Sequence, residues 1–213
     1  GGAIAYTATS GPVFDLMGEM IGHASTLEIP IVVFDIQRAG PSTGMPTKTE
    51  QSDLWCALKM GHGEFPRIVL APGDVEEHFY ESARACYLAW KYRVPVIVLS
   101  SLEVAEGYHT PNYFDFMKLE PYRAFFADTQ LLPRGEKFYT FAITESGVSP
   151  HTIPGNPETM CMLNGTEHWI DGRVSTNRER RITMMDKRMR KLATCLREDT
   201  RGPACYGNEN AAV

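Results

Sequence analysis

The residues best equipped for chemistry lie in the stretch Gln37-Arg38-Ala39-Gly40-Pro41-Ser42-Thr43-Gly44-Met45-Pro46-Thr47, with Glu50, Gln51 and Asp53 close behind. The stretch leaves Pro30 to Ile36, a β-branched run that reads as a buried strand. Open α/β sheets bind ligands outside the carboxyl ends of such strands. A guanidinium placed there, at Arg38, can grip a carboxylate through two parallel hydrogen bonds. Ser42, Thr43 and Thr47 add hydroxyls to a loop that Gly loosens and Pro stiffens. The competing reading is a structural loop, with Arg38 paired to Glu50 or Asp53.

A second candidate is Thr7-Ala8-Thr9-Ser10-Gly11-Pro12, between a strand and a helix. Small residues allow close backbone approach to a ligand, and a helix N-terminus favours anions. It matches neither the P-loop nor the dinucleotide fingerprint. An ordinary capping turn has the same composition. His62-Gly63-Glu64 could serve acid–base chemistry, and so could His168 between Glu167 and Trp169, but a solvated turn is the favoured reading of both. The six histidines show no metal-ligand spacing.

The elements that must position these residues alternate. Ala3 to Ala8 reads as a strand. Val13 to Ala24 reads as a helix, with Leu16, Met17, Met20 and Ile21 at helical spacing. A helix over Thr49 to Met60 and a strand over Arg67 to Ala71 follow. Asp74 is the expected N-cap of a helix to Tyr92, with Glu77 at capping-box distance and Val75, Phe79, Ala83, Cys86 and Trp90 along one face. Val94 to Leu99 is a continuous apolar strand. Such strands suit an α/β fold, a parallel sheet covered by helices. From Glu106 to Pro157 Pro and Gly become frequent, which predicts an irregular connecting region, with a β-hairpin at Phe138 to Ile143. Asn177 to Arg197 is a basic helix with eight basic and two acidic residues between Arg178 and Arg197. Ile182, Met185, Met189, Leu192 and Leu196 form its apolar stripe. The helix could attract an acidic partner or a coenzyme phosphate. The favoured reading is a packed stripe beneath a solvated basic face. The divisions expected are 1–105, 106–200 with the basic helix, and 201–213 as the start of a following domain.

The net charge of −5 argues against a nucleic-acid partner. No apolar run approaches the ~20 residues of a membrane helix. Cys56, Cys86, Cys161, Cys195 and Cys205 are widely spread without a C-x-x-C pair, which fits reduced thiols in a cytoplasmic location. It also offers no iron–sulfur signature. The chain opens without Met on a strand pattern and ends as abruptly, so flanking sequence is expected on both sides.

The strings TATSGP (7–12), LMGEMIG (16–22), QRAGPSTGMPTKTEQSDL (37–54) and HGEFPRIVLAPG (62–73) occur in that order. KYRVPVIVLS (91–100), GVSPHTIPG (147–155), EHWIDGRV (167–174) and MMDKRMRKL (184–192) follow. The ordered set covers nearly the whole chain and resembles the α subunit of 2-oxoacid:ferredoxin oxidoreductases, at the pyrimidine-binding domain of the thiamin-diphosphate fold. Its later segments are closer to the 2-oxoglutarate type. The resemblance implies oxidative decarboxylation of a 2-oxoacid, transfer of the acyl group to coenzyme A and of electrons to ferredoxin. It implies thiamin diphosphate shared with a β subunit that holds Mg²⁺ and a 4Fe–4S cluster. Thr9, Ser10, Gly11 and Pro12 are then cofactor-binding, Arg38 is catalytic and substrate-binding, and Ser42, Thr43 and Thr47 line the substrate side. Branched-chain oxoacids and pyruvate remain alternative substrates, and a non-catalytic binding module using the basic helix is the other alternative. The family usually has Gly at the positions of Val13 and Ala39, and Arg at that of His151. Its Y-P-I-T-P-S motif and the Glu that bonds the aminopyrimidine ring are expected before Gly1, so this piece alone is expected to be inactive.

Overall fold

The computed structural model describes residues 2–128, 138–152, 155–200 and 207. Strands β1 (Tyr6–Thr9), β2 (Ile31–Gln37), β3 (Ile68–Leu70) and β4 (Pro95–Ser101) form one sheet in the order β1-β2-β4-β3, every pair parallel. Parallel neighbours need crossovers, and helices α1 (Gly11–Leu16), α2 (Gly18–Thr26), α3 (Leu54–Lys59) and α4 (Val75–Tyr92) supply them. Strand residues alternate between two helical layers. Val32, Val96 and Val98 meet Ala85, Leu88 and Tyr92 of α4. Val33, Ile97 and Leu99 meet Phe14, Ile21 and Ala57 of α1 to α3. β4 is buried along its whole length, as expected of a central parallel strand with helices on both faces. This is the α/β architecture expected from the sequence.

Several local expectations need correction. β1 begins at Tyr6, and α3 begins at Leu54 because the residues before it belong to the loop after β2. The single helix over Val13 to Ala24 is two, joined at Met17. Their core face is Phe14, Gly18, Ile21 and Ala24, while Leu16 and Met20 are exposed. Asp74 does cap α4, accepting a hydrogen bond from the Glu77 N–H at 2.8 Å. The buried face of α4 is Ala85, Leu88, Ala89, Trp90 and Tyr92, and Phe79 instead stacks on Phe114 with ring centres 4.2 Å apart. The connecting region is more ordered than expected. After α5 (Leu102–Glu106) it holds a 3₁₀ turn (Phe116–Leu119) and α6 (Glu120–Asp128), whose Tyr122 and Phe125 pack on Tyr87.

Phe138 to Ile143 forms no hairpin. Phe141 is driven into the core against His168, ring centres 3.9 Å apart, and the Thr140 carbonyl accepts a hydrogen bond from Arg93 at 2.8 Å. Part of the expected connecting region and most of 201–213 lie outside the described residues.

The basic helix α7 (Arg178–Glu198) departs furthest from expectation. Ile182, Met189 and Leu196 of its apolar stripe are exposed, whereas Met184, Lys187, Arg188, Lys191, Thr194 and Cys195 are buried. The solvated face therefore mixes Ile182, Met189 and Leu196 with Arg178, Arg180, Arg181, Arg190 and Arg197, and three of the eight basic residues point inward. Glu28, fully buried at the amino end of β2, is the reason. It pairs with Lys187 through Oε1 at 2.5 Å and with Lys191 through Oε2 at 2.7 Å. Arg93 donates to the Glu28 carbonyl at 3.0 Å, and Lys191 donates to the Arg93 carbonyl at 3.0 Å. Burial alone would push the Glu28 carboxyl up, but Lys191, Lys187 and Arg93 together hold it down at about 2. Glu28 and Arg93 both sit at positive φ, 55° and 52°, where a side chain costs about 1–3 kcal/mol unless its surroundings over-determine it. Here the ion pairs and carbonyl contacts do so. A second contact fixes the far end of α7, where Asp199 accepts from Lys91 at 2.7 Å and its carbonyl accepts from Arg84 at 2.8 Å.

Glu28→Gln would leave two buried lysines without a counter-charge, and we expect it to cost about 3–5 kcal/mol in chemical denaturation. Because the Glu28 carboxyl is lowered from 4.5 to about 2, its contribution is complete above the ordinary value and lost as pH falls through that window. An acid titration of stability should show this loss in the wild type and lack that portion in Glu28→Gln.

Candidate functional site

The carboxyl ends of the central strands turn polar after an apolar core. Asp35 and Gln37 on β2 and Ser100 and Ser101 on β4 are all buried there. Thr9 at the end of β1 lies in register with Asp35. The turn Thr9 to Pro12 follows at once, half-buried and accessible. Ser10 occupies the N-cap of α1 without a capping hydrogen bond from its side chain, so its hydroxyl is not used in that role. Val13 lies inside α1 and is absent from the positive-φ residues, so Gly is not needed there. The same holds for Ala39.

The loop after β2 closes on itself. The Ala39 N–H donates to the Lys48 carbonyl at 2.9 Å, Met45 N–H to the Ala39 carbonyl at 3.0 Å, and Gly40 N–H to Glu50 Oε2 at 3.1 Å. Gly44 is at φ +52°, and a Cβ there would lie 2.1 Å from the Ala39 carbonyl oxygen, so only Gly permits this closure. The result is a stiff rim with Ser42, Thr43 and Thr47 exposed along it. Arg38 stands half-buried at its base. Its Nε is buried without a hydrogen-bond partner, and among the described residues Arg38 joins no ion pair. The expected alternative, pairing to Glu50 or Asp53, is therefore not what the loop does.

Turn and rim are brought together by Asp53. A Cβ on Gly11 would lie 2.7 Å from Asp53 Oδ2, so the turn approaches this carboxyl closely and a larger residue would push it away. Gln37 ties the rim to the sheet, accepting from the Asp53 N–H at 3.1 Å and donating to the Ser100 carbonyl at 3.0 Å. Burial and the neighbouring Asp53 push the Asp35 carboxyl up to about 7. Burial likewise raises Asp53. The sequence pattern offered no sign of Asp35, which sits inside an apolar strand. Its only signal is a carboxylate among residues that should all be buried.

The remaining sequence candidates lie elsewhere. His62 is exposed beside Glu19, at 3.4 Å, a solvated pair. His168 is not solvated but fully buried, bonded at Nδ1 to the Thr166 carbonyl, 2.8 Å, and contacting Arg188 at Nε2. His151 stacks on Trp90 at the opposite, amino edge of the sheet, and burial with Arg93 and Lys191 nearby drives it down to about 4. It is neutral at physiological pH and stands away from Arg38. A cavity of about 540 Å³ opens at that amino edge between Trp90, His151, Arg93 and Cys161. Its Arg93 is spent on the Glu28, Thr140 and Pro150 carbonyls. Among the described residues no cluster of His, Cys, Asp or Glu is arranged to hold a metal ion, and no helix is long and apolar enough to cross a membrane.

Chemically, the carboxyl edge offers the Arg38 guanidinium, free of ion pairs among the described residues, a row of exposed hydroxyls and the Gly11 turn. A guanidinium of this kind can take a carboxylate. Residues 1–162 match the family described as pyruvate flavodoxin/ferredoxin oxidoreductase, thiamine diphosphate-binding. The chain is 41% identical over 200 residues to the α subunit of 2-oxoacid:ferredoxin oxidoreductase 1 of Sulfurisphaera tokodaii, covering 92% of this chain and 31% of that one. It is 39% identical over 178 residues to the 2-oxoglutarate oxidoreductase subunit KorA of Mycobacterium tuberculosis, covering 83% and 25%. It also superposes on the 2-oxoglutarate:ferredoxin oxidoreductase of Magnetococcus marinus, a structure with 2-oxoglutarate, coenzyme A and succinyl-CoA bound. The TM-score is 0.80 at 34% identity, covering 94% of this chain and 34% of that one. The chain thus spans about a third of the length of the curated relatives it matches. With the match running through both the Thr9–Pro12 turn and the Arg38 rim, the chain belongs to the pyruvate flavodoxin/ferredoxin oxidoreductase family, in its thiamine diphosphate-binding domain.

Proposed function

We propose that the chain is part of the α subunit of a 2-oxoacid:ferredoxin oxidoreductase that converts 2-oxoglutarate, with coenzyme A, to succinyl-CoA and reduces ferredoxin. The observation that favours it most is Arg38, half-buried on the loop that leaves the carboxyl end of β2, whose Nε is buried without a hydrogen-bond partner. A buried guanidinium nitrogen without an acceptor is costly and calls for an anionic ligand. Thiamin diphosphate, when bound, supplies the carbon nucleophile and electron sink for decarboxylation. Thr9, Ser10, Gly11 and Pro12 would help to hold it. Arg38 grips a substrate carboxylate, with Ser42, Thr43 and Thr47 bonding the remaining oxygens. The rim's closure holds these groups in place before substrate arrives, which avoids reorganisation during reaction.

Leu16, Met20, Leu54, Trp55 and Leu58 are exposed apolar side chains on α1 to α3, the helices that follow the turn and the rim. A partner β subunit, holding Mg²⁺ and a 4Fe–4S cluster, would cover them and complete the site. In this reading residues 1–105 are the cofactor-side unit, 106–200 the connecting region and 201–213 the start of a following domain, in a cytoplasmic enzyme. The alternative binding module built on α7 loses support because Lys187, Arg188 and Lys191 are buried in internal contacts.

In the assembled enzyme, Arg38→Ala should raise the KM for 2-oxoglutarate about tenfold to a hundredfold, with a smaller change in thiamin diphosphate affinity. Arg38→Lys should recover only part of the loss, since an ammonium does not reproduce the two-pronged contact. Unchanged oxoacid kinetics would remove Arg38 from the site. Comparing kcat/KM for 2-oxoglutarate, pyruvate and branched-chain oxoacids, with ferredoxin or viologen as acceptor, decides the substrate.

A further inference from the structure

Among the described residues, Asp35 and Asp53 are a carboxyl pair at the carboxyl edge whose buried oxygens the fold leaves without donors. Asp35 is fully buried in the middle of the sheet, between Thr9 on β1 and Leu99 on β4, and neither of its oxygens has a donor. Asp53 stands at the N-cap of α3, where Asp is a preferred residue because its carboxylate caps the helix. Here it makes no capping hydrogen bond. Its carboxyl turns instead toward Asp35 and the Gly11 backbone, and Oδ2 is buried without a donor. The groups that bear on the pair are also acidic. Asp15 on α1 and Glu50 on the rim act on Asp53, and Asp15 accepts from Cys56 of α3 at 3.7 Å. On Asp35 only Asp53 and burial act. Ser52 offers Asp53 a hydrogen bond, which leaves Asp35 as it was.

Two buried acceptors facing one another repel, and no residue between them donates. A proton placed on one turns the same geometry into a short-range carboxyl–carboxylate hydrogen bond. We propose that Asp35 and Asp53 share one proton, and that this bond latches the Thr9–Pro12 turn to the start of α3, setting the distance between the cofactor corner and the Arg38 rim. They are positioning residues. The latch is coupled to the rim because Gln37 holds the Asp53 N–H and Ser100 together. The raised Asp35 value agrees with this geometry. An acid whose value is raised from 3.8 to about 7 in the fold weakens the folded state as pH rises through that interval. The latch is therefore closed at and below neutral pH and released above it.

The catalytic consequence rests on the proposed function, but the shared proton does not. The test uses the assembled enzyme with Asp53→Asn and Asp35→Asn, because an amide can donate the same hydrogen bond and has no proton to lose. In infrared difference spectra at neutral pH, the wild type should show a protonated-carboxyl C=O band that both variants lack, and that disappears in the wild type at higher pH. Absence of that band in the wild type overturns the proposal whatever the enzyme's activity. For the 2-oxoacid, wild-type kcat/KM should fall several-fold to a lower plateau above about pH 7. In Asp53→Asn this alkaline limb should be flattened or displaced upward by more than one pH unit. An unaltered limb in Asp53→Asn overturns the positioning role. Should Asp35→Asn fail to fold, Asp53→Asn, at the less buried position, still decides both points. If the assembled enzyme turns over no 2-oxoacid at all, the proposed function fails, and the infrared band alone then supports or overturns the shared proton.

Discussion

A single buried carboxylate organises the amino edge of this protein. Glu28 sits in the last turn before β2, Arg93 in the turn before β4, and Lys187 and Lys191 on a helix more than 150 residues further along the chain. Removing a charge from water costs several kcal/mol per ion, so such a group persists only if its partners arrive with good geometry. Glu28 has ion pairs at 2.5 and 2.7 Å, and its own carbonyl takes the Arg93 Nε. The surplus positive charge is spread over backbone carbonyls of Arg93, Thr140 and Pro150. Each contact joins a different piece of chain, so the turns before both central strands, the 140–150 loop and α7 are held as one body.

The two edges of the sheet differ in a way that bears on function. At the amino edge every described cation near Glu28 is bonded, and the backbone there tolerates two left-handed side chains because packing dictates them. At the carboxyl edge Arg38 Nε, both carboxyl oxygens of Asp35 and Asp53 Oδ2 are buried without a hydrogen-bond donor or acceptor. Such atoms also occur away from this edge, at His78 Nε2, His151 Nε2 and Arg188 Nε, so what sets the carboxyl edge apart is a cation and two carboxyls together on adjoining segments. Family membership places thiamine diphosphate binding on this domain.

Rigidity joins the two ends. β4 is buried throughout and pairs along its length with β2, so the Gln37 and Ser100 anchors of the rim stand on the stiffest part of the sheet. A site built on strand ends keeps its geometry better than one on a free loop. The loop after β2 is itself closed by Ala39, Met45 and Lys48 through backbone hydrogen bonds, with Gly44 as the residue that makes closure possible.

Much of this was legible in the amino-acid order. Apolar β-branched runs, the Asp74 cap and the spacing of helices determined a parallel α/β sheet, because those signals are local and depend on a few neighbouring residues. Arg38 and the Thr9–Pro12 turn were legible too, since each follows a strand end by chain order alone. What only the tertiary structure decided is which face of each helix is buried and which charges are paired. On α7 the apolar stripe at helical spacing missed the buried set, because one distant carboxylate draws Lys187 and Lys191 inward while Ile182 and Leu196 stay exposed. Asp35 and Asp53, eighteen positions apart, became a pair only when β2 and α3 folded onto the Gly11 turn. Long-range electrostatics leave no periodic trace in a sequence. They appear only once the chain has brought the charges within reach.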